Sequence, residues 1–449
     1  MLVTGDISLR GHEARGNFAS KLEVMTASIP ERLRLDNAAN IYPASMSKHY
    51  SSLYRMRVTM TEEIDKGLLQ EALLAASERI PTFRCKLRAG AFWWYLDRVA
   101  HDPKVRPLKP LKAFSFADQD GLLYRVSAEG RQIFLDIFHA LTDGFGAMSF
   151  LLTLSAEYIH RRYGVEISYN CLALDVKDRP VYAEVEDSFK NVFSGRHGQL
   201  EKNVDAYHIR GAVLPLNSVK DLRLVMPVTR VKEVCSEYDC TATELLTSVM
   251  LWALQEEHRQ DTSKRKRSVL KVSVPINLRP LYGSRTVRNF SSYVNLGIDI
   301  KDGYCSFADI VAAVKSQKAH DLAQDQLEPK IAANVELEEM LLVRMLPLFI
   351  KHPIIDIINL LHGDRFCSQT LSNMGNVQVP SEMVPYITDL DFMLGRQRGN
   401  SGACSCVGYN GRLFFHMTRK IARNGFECAF IKQLSALGIH AETSIEGLA

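Results

Sequence analysis

The chain has 449 residues, 46% hydrophobic and 24% charged, more than one ordinary core organises, so two units of about 200 residues each are expected. With 55 Lys plus Arg against 51 Asp plus Glu, a formal net charge of +4, nothing global calls for nucleic acid. Any anion site must be local.

In chain order, residues 1–45 read as irregular, with room for a short helix. Residues 51–61 alternate Ser-Ser-Leu-Tyr-Arg-Met-Arg-Val-Thr-Met-Thr, the pattern of a strand with one solvated face. Over 64–78, Leu68, Leu69, Ala72, Leu73 and Ala76 recur at helical spacing, and Pro81 stops the helix. Residues 83–89 and 91–97 predict a hairpin about Ala89-Gly90. Strands follow at 122–127 and 132–138, then an apolar helix from Gly146 with Phe150, Leu151, Leu154, Tyr158 and Ile159 on helical spacing. The polar stretch 164–210 predicts a long crossover.

Regular structure resumes with a strand at 222–228, a helix at 227–237 and a long helix to about Gln255 opened by Thr241 or Thr243 as N-cap, with Glu244 near its positive end. Strands are expected at 269–275, 292–300 and 369–372, a helix at 306–324, and a closing set at 405–408, 412–418 and 424–437. The segment 340–361 is rich in Leu, Ile and Met but is broken by Arg344, Pro347, Lys351, Pro353 and Asp356, which excludes a membrane span. Two short helices are expected there, either packed as ordinary core, the favoured reading, or forming the wall of a tunnel for an apolar substrate.

His139 stands at the junction of the 132–138 strand and the following helix, with Asp143 four residues on and Gly144 next. Asp143 is placed at the positive end of that helix. One imidazole held by a rigid element, titrating near neutrality, is what a general base requires. The nine cysteines, odd in number and scattered, contain no C-x-x-C pair, and the Cys404-Ser-Cys406 spacing does not suit a zinc knuckle. Reduced thiols, no metal and a cytoplasmic location are expected. Asp6, Arg10, Glu13 and Arg15 interrupt any secretory apolar core.

Three segments in this order, His139-x-x-x-Asp143-Gly144, Val274-Pro-Ile-Asn-Leu-Arg279-Pro and Ser372-Asn-Met-Gly375, resemble the superfamily of CoA-dependent acyltransferases. It includes chloramphenicol acetyltransferase, plant BAHD enzymes, peptide-synthetase condensation domains and alcohol acetyltransferases. The resemblance covers most of the chain from about Ser51. It is nearest the alcohol acetyltransferase and polyketide-associated branches, because Phe138 stands where condensation domains carry a second His. Asp391-Phe-Met-Leu-Gly395 is a degraded echo of the BAHD D-F-G-W-G pattern.

The resemblance implies an α/β (α+β) fold of two chloramphenicol-acetyltransferase-like subdomains, 1–190 and 191–449. They would form a V-shaped pseudodimer with a central tunnel and His139 at its middle. It implies His139 as base, and Asp143 as a structural residue paired with Arg279. Gly144, Ser372 and Asn373 are candidate oxyanion donors, although Asn373 with Gly375 equally suits a turn at positive φ, and Asn277 equally suits a strand end. The run Lys264-Arg265-Lys266-Arg267 is either a solvated face or a site for CoA phosphates, with Arg285 and Arg288 as lesser candidates. The expected reaction is acyl transfer from acyl-CoA, a cosubstrate rather than a bound cofactor, to a small or lipid-like alcohol by a monomer. The alternatives are a condensation-like, amide-forming protein fed by a carrier-bound acyl group, and an inactive binding protein of the same fold.

Overall fold

The structure, a computed structural model, describes residues 29–447 except 48–49, 51, 112–114, 170, 200–203, 216–217, 265 and 363. The first 28 residues, including the four charged positions named above, lie outside the described residues. A four-stranded antiparallel sheet runs in the order Ile387–Leu394, Leu53–Met60, Gln132–Phe138, Tyr124–Glu129. A seven-stranded sheet runs Glu442–Gly447, Lys220–Pro227, Arg412–Arg419, Gly402–Tyr409, Gln369–Asn376, Val269–Asn277, Ser291–Asp299. In it Gln369–Asn376 is parallel to both neighbours. A small third sheet joins Arg32–Arg34 to the hairpin Cys85–Ala89 and Trp94–Arg98.

The helix Gly144–Tyr163 covers the first sheet, and every residue from Gly146 to Ile159 is buried. Phe150 stacks on Phe83 at 3.8 Å between ring centroids, with Tyr124 edge-on to both. Burial of such side chains, at about 1.5–3 kcal/mol for each large one, holds this helix in place. Asp143 caps its start, accepting from the Gly146 N–H at 3.2 Å, and Gly164 at φ 67° ends it. The helix Ala242–Gln260 opens on a capping box: Thr241 is the N-cap, and Glu244 accepts from the Thr241 N–H at 2.7 Å.

Several expectations are corrected. Leu53–Met60 has no solvated face, because all eight residues are buried. Its polar side is covered and neutralised by cross-strand carboxylates: Arg55 donates to Asp136 at 2.5 and 2.9 Å, Arg125 shares that carboxylate, and Arg57 donates to Asp391 at 2.7 Å. The strand Ile387–Leu394 was not expected; it comes from the far end of the sequence to complete the first sheet. There it meets the second sheet, with the Ser405 hydroxyl donating to the Phe392 carbonyl at 2.5 Å. Gln324–Glu339 is a helix despite Pro329, and the helix Leu348–His362 runs through Pro353. Nor is the apolar face of residues 341–357 core: Leu342 is 81% and Phe349 77% exposed. Among the described residues no helix is long and apolar enough to cross a membrane. No disulfide joins any of the nine cysteines. Cys404 and Cys406 lie buried in Gly402–Tyr409, and no side-chain cluster among the described residues could hold a metal.

Where the two large sheets meet, His416 lies fully buried between two carboxylates, Nδ1 2.7 Å from Asp221 and Nε2 2.9 Å from Asp391. Arg57 and Arg223 also donate to Asp391. Burial alone would push the imidazole pKa down, but the facing charge and hydrogen bonds of Asp221 and Asp391 prevail and raise it to about 9. The raised value stabilises the fold fully below the unfolded value near 6.5, and the stabilisation is lost as pH rises toward 9. Stability is therefore expected to fall across that window by up to about 1.4 kcal/mol per pH unit. Thermal melts of the wild type against His416→Gln check this: the variant should lose the slope, and equal slopes would contradict the assignment.

Candidate functional site

Gln132–Phe138 ends at His139, whose N–H donates to the Ser52 carbonyl at 2.9 Å. This ties the turn to the neighbouring strand. Thr142 accepts the Tyr54 hydroxyl on its carbonyl at 2.9 Å and donates its own hydroxyl to the Val287 carbonyl at 2.5 Å. Gly146 makes this approach possible, since a Cβ there would lie 1.9 Å from the Val287 oxygen. The segment after Arg279 can therefore press against the helix start, and the Phe290 N–H reaches Asp143 at 2.9 Å.

Asp143 is buried and bound in fork fashion by Arg279, at 2.9 and 3.0 Å. Arg279 spends its remaining N–H groups on the Thr286 and Arg288 carbonyls, and it also reaches the Asn277 side chain at 3.1 Å, with its guanidinium 4.4 Å from the Phe145 ring centroid. Both residues are buried in the wall of the space that His139 faces, and their pairing fixes the turn that carries it.

The His139 ring stacks on Tyr42 at 4.3 Å between centroids and meets the edge of Tyr54 at 5.1 Å. Its Nδ1 lies 3.1 Å from Asn289 Oδ1, and the Asn289 amide nitrogen donates to Asp36 at 3.3 Å. Asp36 is fully buried beside Arg288; burial pushes its carboxyl up to about 7, against the pull of that cation. With its nitrogen donating to Asp36, the Asn289 side chain turns its oxygen, an acceptor only, toward the imidazole. Nδ1 therefore carries the proton, and Nε2 keeps its lone pair. Burial lowers the His139 pKa below its ordinary 6.5 despite the nearby Asp143 charge, so the ring is neutral at pH 7. Such an imidazole can take a proton at Nε2.

His139 lines a cavity of about 620 Å³ with walls from both large sheets, among them Tyr54, Gly144, Asn277 and Ser372. A second cavity, of about 520 Å³, shares Cys171, Asn376, Val377 and Gln378 with it, extending the space toward Tyr409 and Asn410. The Gly144 N–H, at the first position of its helix, has no intrahelical acceptor. Asn373 also lines the cavity, but its amide donates to Thr243 at 3.0 Å and its oxygen accepts from the Gly375 N–H at 2.8 Å, with Gly375 at φ 70°. One end of that side chain is committed to the turn at Gly375 and the other to the helix Ala242–Gln260.

The basic run is elsewhere. Lys266 donates to the His258 and Asp261 carbonyls at 2.6 and 2.7 Å, Arg267 pairs with Asp205 at 2.7 Å, Lys264 is exposed, and Arg265 lies outside the described residues. None of the three placed residues lines the cavity, and neither does Arg285 or Arg288. The half-buried cation that lines it is Arg396, which donates to the Pro215 and Ser218 carbonyls at 3.2 and 3.3 Å. Asp36, Tyr42, Asn289 and Arg396 escaped sequence reading. Asp36 and Asn289 are 253 residues apart, and neither sits in a pattern.

No family model matches the sequence, and no curated protein matches it. Solved structures do resemble it. Polyketide synthase associated protein 5 from Mycobacterium tuberculosis aligns over 90% of this chain and 97% of its own, at 15% identity and a TM-score of 0.61. The F. graminearum TRI101 structure with coenzyme A and T-2 mycotoxin aligns over 92% and 99%, at 10% identity and 0.59. The first condensation domain of the CDA synthetase aligns over 92% and 97%, at 14% and 0.58. The chain therefore has the two-subdomain, chloramphenicol-acetyltransferase-like fold of CoA-dependent acyltransferases and condensation domains.

Proposed function

We propose that the protein is an acyltransferase that moves an acetyl or longer acyl group from acyl-CoA to a small or lipid-like alcohol. It acts as a monomer of two subdomains divided near residue 190, with His139 as general base. The observation that carries this is the contact of Nδ1 with the Asn289 oxygen at 3.1 Å, which leaves Nε2 as the basic atom for a substrate in the cavity. An alcohol is too weakly acidic to attack unaided. Nε2 takes its proton as the oxygen bonds to the thioester carbonyl. The C–S bond then breaks, and the proton passes to the leaving thiolate.

The transient oxyanion needs preorganised donors, and we assign the Ser372 hydroxyl and the Gly144 N–H to it. Asp143 and Arg279 position the turn and do not touch substrate. The nucleotide phosphates are assigned to Arg396, in place of the basic run.

Purified protein given acetyl-CoA or a longer acyl-CoA with a panel of alcohols and amines tests the reading by thiol release and product mass. An acyl-pantetheine donor, which lacks the nucleotide, should show a raised KM. Amide from a carrier-bound donor alone would favour the condensation-like alternative, and neither product nor CoA binding would favour an inactive binder. Because burial lowers the His139 pKa, the acid limb of kcat/KM is expected to have its midpoint below pH 6.5, the base being neutral above it. A midpoint above 6.5 would contradict His139 as the titrating base.

A further inference from the structure

The helix Leu348–His362 is built inside out, and the short helix Leu341–Met345 before it buries no residue. Lys351 is 4% exposed, its ammonium 3.3 Å from the Trp93 ring centroid and donating to the Phe92 carbonyl at 2.9 Å. His352 bonds the Pro43 carbonyl at 2.9 Å, and Asp356 pairs with Arg398 at 3.1 Å. Lys351, His352 and Asp356 thus face the protein. Outward stand Leu341, Leu342, Met345, Phe349, Ile354 and Ile357, each between 44% and 81% exposed. Ordinary folding favours the reverse orientation, so a continuous apolar face of this kind marks a surface meant for an apolar partner. Among the described residues nothing covers it.

The character of the face selects the occupant. A protein interface keeps a polar rim and about one hydrogen bond per 100–200 Å². Those six side chains offer no hydrogen-bonding group, and the exposed charge among them is Arg344 alone. The acyl boundary of a bilayer asks for no such groups, and an apolar face of Leu, Phe, Ile and Met suits it. The opposite face of Leu348–His362 packs on the helix Ile41–Ser45, which carries Tyr42, the ring stacked on His139. The apolar face is therefore the outer side of one wall of the cavity.

We infer that residues 341–357 form a docking surface for a lipid bilayer, seating the protein on the membrane without crossing it. The inference stands apart from the acyltransfer reading, and its test needs no turnover. The full chain is titrated with phosphatidylcholine vesicles, and with vesicles one-third phosphatidylglycerol, and bound protein is measured by flotation. The double variant Leu342→Glu, Phe349→Glu is run beside it, with thermal melts to show that it folds. The wild type is expected to bind phosphatidylcholine alone, the double variant at least about tenfold more weakly. Phosphatidylglycerol should help by no more than about fivefold, as one arginine near an anionic surface allows. No wild-type binding, binding only to the anionic vesicles, or equal binding by the two proteins would overturn the proposal. So would a wild-type dimer in sedimentation that the double variant dissolves, because the face would then belong to a second copy of the chain.

Discussion

His139→Ala is expected to lower kcat/KM for acyl transfer by about 10³-fold, the middle of the range that a positioned acid–base group supplies, with little change in KM for acyl-CoA. The Ser372 hydroxyl, the Gly144 N–H and the cavity remain, so residual turnover above the uncatalysed rate should persist. The stability cost is small, because the ring faces a cavity and its loss leaves one acceptor, Asn289 Oδ1, without its donor. Added imidazole should restore part of the activity by entering the vacated space between Tyr42 and Tyr54. Asn289→Leu should act in the same direction through the ring's orientation, lowering kcat by about 10²-fold while leaving His139 in place. Full activity in His139→Ala, measured by thiol release with a matching melting curve, would eliminate the base assigned here.

Much of this site is legible in the sequence because one short segment does most of the positioning. A buried strand, a polar junction and an apolar helix follow one another from residue 132 to 163, and their periodicities differ enough to mark where His139 must sit. What is illegible depends on distant residues or on environment. Asn289 precedes a strand and Asp36 a short turn, both ordinary places for polar residues, and only the folded chain brings them together. The alternation of Arg55 and Arg57 with Tyr54 and Met56 looks solvated, since nothing local announces that Asp136 and Asp391 will neutralise a buried face. Leu348–His362 misleads in the opposite sense: its apolar content reads as core, yet Lys351, His352 and Asp356 are turned inward. The basic run draws attention by charge density, but its neighbours Asp205, His258 and Asp261 absorb it.

Asp143→Ala should be among the most destabilising single changes in the chain, at about 3–5 kcal/mol. It strands the Arg279 cation, which is 4% exposed, and leaves the Gly146 and Phe290 N–H groups without their acceptor. Arg279→Ala should cost somewhat less, because Asp143 keeps those two N–H donors. Either change frees the turn, so kcat should fall even though neither side chain meets substrate. The double variant decides whether the two act as one unit. Each single substitution leaves an uncompensated buried charge and the pair leaves none, so the combined cost should be well below the sum, with a coupling of about 3 kcal/mol at the upper end of contacting pairs. Arg279→Lys should rescue little, since an ammonium cannot reproduce the fork to both carboxylate oxygens and also reach the Thr286 and Arg288 carbonyls. Denaturant unfolding of the four proteins measures the cycle. Additive costs would mean that the ion pair does not hold the turn, and His139 would then owe its position to Asn289 and the Tyr42 stack alone.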